Sequence, residues 1–276
     1  MTNCGANYTL AATPSAVTEN MLRLVGSSLD ITSAINDFRP SYHQDFANVQ
    51  SVVCRYLNAP SGSANAALLA QALSTALLNW GACRRRSPIL RPIPQIVSAL
   101  KDKRLHERLL KLSQQSLAAF SLYLQEHRLL DSDAPLNDVG AFDQEILGIL
   151  NTLASVLFFN NTNVTYPMKA LLLITGLIPA LDSQVRGGLT RAGKAGFTGQ
   201  QLLPRNVQQA AGRRICELPY YLGHCWNLHR EVFEEGILKS DHKGLQDTPG
   251  RVFDILLFMQ NQATRNQLLA FKAERV

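Results

Sequence analysis

The stretch Ile178–Gly193 reads IPALDSQVRGGLTRAG, with one aspartate between an apolar run and a segment that carries only basic charges. Two kinds of chemistry suit Asp182 in that setting. As the residue before a helix it accepts hydrogen bonds from the first free backbone N–H groups and complements the positive end of the helix dipole. As a carboxylate in a site it stabilises developing positive charge, or it orients a water. Lys169, thirteen positions upstream in TYPMKALLLITG, is a helix-start lysine or an amine nucleophile.

The surrounding charge favours an anionic partner. The chain of 276 residues has a net charge of +6. Between Ser183 and Cys216 there is no acidic residue, while Arg186, Arg191, Lys194, Arg205, Arg213 and Arg214 all occur. A second cluster, from Arg84 and Arg85 to Lys111, follows Trp80. Clustered cations are either a solvated face or the footprint of a polyanion site. Were a base to be flipped from a duplex, aromatic rings would stack on it; Trp80, Tyr166, Tyr220 and Trp226 are the candidates, with core packing as the other role for each.

The segment CELPYYLGHCWNLH holds Cys216, His224, Cys225 and His229. It has no C-x-x-C pair, so buried thiols and a packing histidine are expected, with no metal and no cofactor. Phosphate-loop, dinucleotide, nucleophile-elbow and metalloprotease motifs are missing from the sequence. The GKAGFTGQ run, Gly193–Gln200, lacks the strand of a phosphate loop and reads as a loop within reach of a backbone phosphate.

The elements that must position these residues read as helices. Apolar positions recur near the 3.6 period in TENMLRLVGSSLDITSAINDF, HQDFANVQSVVCRYLNAP, SANAALLAQALSTALLNWG, PQIVSALKDKRLHERLLKLSQQSLAAFSLYLQEH, NDVGAFDQEILGILNTLASVLFFN, NVQQAAGRRICELPYYLGHCWNLHREVFEEG and PGRVFDILLFMQNQATRNQLLAFKAER. Ser63 and Gly81 read as the N-cap and C-cap of the third of these. Strand signals are scarce, so the expected fold is all-α: one domain of about ten helices, with lobes 1–130 and 140–276 flanking a cleft. The apolar runs Ile146–Phe159 and Ala170–Leu181 are shorter than the roughly 20 residues that span a bilayer and read as core helices. The start of the chain has no basic-then-apolar leader, and five scattered cysteines suit reduced thiols, so a cytoplasmic location and no membrane partner are expected.

Two resemblances refine this. IPALDSQVRGGLTRAG is similar to the stretch of the helix-hairpin-helix DNA glycosylase superfamily in which a catalytic aspartate follows an apolar-proline segment and opens a helix marked here by Val185, Arg186 and Leu189. That resemblance implies a glycosylase-like core, DNA as partner, an N-glycosylase activity, Asp182 as catalytic carboxylate and Lys169 as nucleophile. The chain departs from the family in lacking the Gly-x-Gly hairpin, which here reads NTNVTYPMK, and in a shorter Lys169-to-Asp182 spacing. Across most of its length the chain also resembles a group of uncharacterised bacterial all-helical proteins with a Trp-Gly-x-x-Arg segment, a Lys-to-Pro-x-x-Asp segment and a terminal helix bearing an aspartate. This second resemblance implies one constellation of Trp80, Gly81, Arg84, Lys169, Pro179, Asp182, Arg251 and Asp254. The alternative to a nucleic-acid protein is a non-enzymatic helical interaction protein in which Asp182 is only a cap.

Overall fold

A computed structural model describes residues 19–123 and 127–274. Cys4 and the leader reading lie outside the described residues. In chain order the elements begin with β1 (Glu19–Leu24), α1 (Ser28–Asn36), α2 (Pro40–Leu57), α3 (Asn65–Asn79), β2 (Ile89–Leu90), α4 (Ile93–Leu100) and α5 (Lys103–Ser113). There follow β3 (Phe120–Tyr123), β4 (His127–Leu130), α6 (Val139–Leu157), β5 (Phe158–Phe159), α7 (Thr165–Thr175) and α8 (Ser183–Arg191). The last are α9 (Ala210–Leu228), α10 (Arg230–Leu238), α11 (Pro249–Gln260) and β6 (Leu269–Glu274).

The fold is predominantly helical, and among the described residues three small antiparallel sheets correct the purely helical expectation. They pair β1 with β6, β2 with β5 and β3 with β4. The β1–β6 ladder runs from Glu19 opposite Glu274 to Leu24 opposite Leu269 and joins the two ends of the described chain. This sheet, and the packing of α1 against α10 and α11, cross the expected division near residue 135. A single connected cluster of buried apolar side chains runs from Met21 to Leu269.

Caps explain several boundaries. Ser27 and Asp30 form a capping box at α1, and Asp138 and Asp102 cap α6 and α5 through side-chain oxygens. At α3 the expected cap is corrected: Ala64 precedes the helix, and the Ser63 hydroxyl is buried without a partner. Gly81 lies just past the C-cap Trp80 with φ 100°, a conformation that glycine adopts without steric cost. None of the described helices is long and apolar enough to cross a membrane.

One close packing sets up the site. In the RGGL run of α8, a Cβ added at Gly188 would fall on the Leu257 carbonyl, and one at Gly187 on the Asn261 side chain. The glycine pair therefore lets α8 lie directly against the backbone of α11.

Candidate functional site

The site forms where α7, the turn 176–182, α8, α11 and the end of α3 converge. The α7 sequence TYPMKALLLIT is buried from Tyr166 to Ile174, and Lys169 among them is only 7% exposed. An ammonium so deep must be given partners. Its Nζ donates to the carbonyl of Trp80 at 2.8 Å, where the C-terminal end of α3 offers unsatisfied oxygens and negative dipole. It lies 5.0 Å from the centre of the Tyr166 ring and 3.6 Å from Oδ2 of Asp182. Burial pulls the Lys169 pKa down; the carboxylates of Asp182 and Asp254 oppose that pull, and the nearby Arg84 adds to it.

Asp182 divides its two oxygens. Oδ1 accepts from the backbone N–H groups of Gln184 at 2.9 Å and Val185 at 3.1 Å, so Asp182 is the N-cap of α8. Oδ2 faces Lys169, and the side chain keeps 20% of its surface open.

Beneath this pair lies a second, fully buried one. Arg251 and Asp254 are three apart on α11 and share a face. Arg251 Nη1 donates to Asp254 Oδ2 at 2.5 Å, and Nη2 donates to the Tyr42 carbonyl at 3.3 Å. Its guanidinium stands about 5 Å from the rings of Phe38, Phe46 and Trp80. Asp254 Oδ1 accepts from the N–H of Ala180 at 3.0 Å and so holds the turn that presents Asp182. Burial pushes the Asp254 carboxyl up to about 6, with Asp182 adding to the shift and Arg251 opposing it.

Of the residues named for the second resemblance, Lys169 touches Asp182 and the Trp80 carbonyl, and Arg251 pairs with Asp254, which holds the turn before Asp182. Sequence reasoning missed Asp45 and Tyr42 on α2. Asp45 accepts from Trp80 Nε1 at 3.2 Å and from Asn79 at 2.9 Å, and Tyr42 stacks on the Trp80 ring at 5.3 Å. Their signal was a polar residue inside the apolar stripe Tyr42, Phe46, Val49, Val53.

The candidate stacking rings have other occupations. Tyr220 is packed against Phe120 and Phe142, and Trp226 against Phe233 and Phe253, all in the core. Trp80 and Tyr166 are 5% and 8% exposed; Trp80 is bound by Asp45, and the Tyr166 hydroxyl donates to Ser87. None of the four presents an open face for a base, which corrects that expectation.

The basic residues divide into three groups. Arg84 and Arg85 are exposed in the turn after Gly81, a turn tied to Tyr166 through Ser87. Arg186 and Arg191 line a cavity of about 420 Å³ on α8. Yet Arg191 donates to the carbonyls of Gln260, Gln262 and Arg265, so it closes the C-terminal end of α11 and is corrected from a phosphate contact to a cap. Lys194, Arg213 and Arg214 line a separate cavity of about 400 Å³ together with Glu217. There Lys194 lies over the rings of Tyr221 and Phe271, and Arg214 bonds Gln201.

Among the described residues no group of three or more His, Cys, Asp or Glu could hold a metal ion. Cys216 and Cys225 are buried thiols, and burial raises the pKa of both. Comparison with models of known families, with curated proteins and with solved structures gives no match.

Proposed function

We propose that this chain binds nucleic acid and that its core works as a DNA glycosylase, with Asp182 as the carboxylate of the cleavage centre. The observation that supports this is the division of Asp182: one oxygen held by two backbone N–H groups, the other facing Lys169, in a side chain still partly open. In N-glycosidic hydrolysis the bond from C1′ to the base nitrogen breaks, water oxygen bonds C1′, and the base nitrogen takes a proton. The sugar becomes cationic on the way, and an ionised carboxylate beside it lowers that barrier. Lys169 acts here as a positioning residue, since nucleophilic attack would require it to leave Trp80 and a 7% exposed position. Arg84, Arg85, Arg186, Arg213 and Lys194 supply the attraction to phosphates, and the reading places the protein in the cytoplasm with DNA as its partner.

A second reading has one observation in its favour. Both charges of the pair have structural occupations, the cap of α8 and the end of α3. A helical interaction protein without catalysis would need no more.

The test is a binding titration with labelled duplex and single-stranded DNA. Binding at low ionic strength is expected, with log affinity falling by about 0.9 per neutralised phosphate for each unit of log salt on duplex. A chain that binds neither form at low salt contradicts the proposal.

A further inference from the structure

Arg186 sits one helical turn after Asp182, half-buried, and its Nε is enclosed with no hydrogen-bond partner among the described residues. A buried donor on a charged group is costly to leave unpaired, so an unpaired one calls for an explanation. The cavity of about 420 Å³ beside it is also lined by Ser183, Thr190, Arg191, Thr198 and Asn261, and no carboxylate is among its lining residues. Arg191 is occupied by three carbonyls, the Thr190 hydroxyl donates to the Arg186 carbonyl, and the Asn261 amide donates to Gln184. What remains is a guanidinium with no ion pair among the described residues, accompanied by the hydroxyls of Ser183 and Thr198.

A guanidinium with hydroxyl donors around it matches an oxyanion that accepts several hydrogen bonds at once. A phosphate group does so in the geometry that arginine's planar fork favours. We infer that this cavity binds a phosphate group, with the Arg186 guanidinium as its charge partner. The chemistry stands alone, but the source rests on the nucleic-acid reading: Arg186 and Asp182 share one turn of α8, so a backbone phosphate held by Arg186 would fix the neighbouring nucleotide beside Asp182. Free inorganic phosphate is the other source.

The experiment titrates the full chain with inorganic phosphate, followed by nitrogen–proton NMR, and with a labelled duplex oligonucleotide, followed by anisotropy. Wild type, Arg186→Gln, Arg186→Lys and Thr198→Val are compared after circular dichroism verifies their folding. Phosphate affinity should fall about tenfold or more in Arg186→Gln, less in Thr198→Val and least in Arg186→Lys. The salt slope for the oligonucleotide should drop by about one in Arg186→Gln. Phosphate binding that depends on Arg186, with no oligonucleotide binding at all, supports the cavity and refutes the nucleic-acid reading. Oligonucleotide binding equal in wild type and Arg186→Gln, with phosphate binding likewise unchanged or absent, overturns the cavity and leaves that reading standing. A wild type that binds neither probe overturns both.

Discussion

Lys169 on α7 and Asp182 at the head of α8 meet at 3.6 Å across the turn that joins their helices. The lysine also holds the Trp80 carbonyl, so one ammonium on α7 ties the end of α3 to the head of α8. Replacing it by methionine keeps the length of the stem and leaves that carbonyl without a donor. Lys169→Met should therefore lose about 1–3 kcal/mol of stability, read from urea midpoints. A loss under about 0.5 kcal/mol would mean that the pair holds nothing together.

The glycine pair of α8 should be equally exacting. Gly188→Ala drives a methyl into the Leu257 carbonyl, and overpacking of this kind costs about 1–3 kcal/mol or more. Gly199→Ala, where a Cβ meets nothing within 4 Å, is the control and should move the thermal midpoint little.

The helical periods of α2, α3, α6 and α11 were legible because each repeats its apolar stripe over several turns. The strand β1 was not. Met21, Leu22 and Leu24 fit a helical period as well as an extended one over so few residues, and their partner is the far end of the chain. Asp182 as a cap, and its nearness to Lys169, followed from local types and from a resemblance. The buried support from Asp45 and Tyr42 did not, since a polar residue inside an apolar stripe looks from the sequence like a break in the pattern. Arg191 shows the same limit: a cation in an acid-free run reads as a phosphate contact until its three carbonyl partners are seen.

That division of the arginines is testable. Arg191→Gln should destabilise the fold while changing nucleic-acid affinity little beyond any loss of folded protein. Arg213→Gln, on an exposed side chain, should leave the thermal midpoint unchanged and weaken binding. Thermal unfolding and anisotropy on both variants would separate them, and the reverse pattern would refute the assignment.

Acid sensitivity should centre on His43. Its ring stacks on His242 at 3.7 Å, and its Nε2–H donates to the Ile35 carbonyl. Burial holds its pKa at about 4, with His242 and Arg251 pushing the same way and the Ile35 bond opposing. Below pH of about 6.5 the unfolded chain takes a proton that the folded chain refuses, so this residue's contribution falls as pH drops from about 6.5 toward 4 and is flat above. The stability gap between wild type and His43→Gln should narrow across that window. A gap constant from pH 7.5 to 4.5 would contradict it.

Asp182 carries the central claim, and asparagine separates its two roles. Asparagine caps a helix nearly as well as aspartate, while Asp182→Ala should cost about 0.5–2 kcal/mol. Asparagine cannot supply the negative charge that a cationic sugar needs. The direct measurement is base release from a set of duplexes, each carrying one modified base, by wild type and Asp182→Asn side by side. Wild type should release at least one base, and Asp182→Asn should keep its fold and release none. Release by Asp182→Asn at the wild-type rate, or no release by wild type from any duplex, would leave Asp182 a structural residue, the cap of α8 and the partner of Lys169.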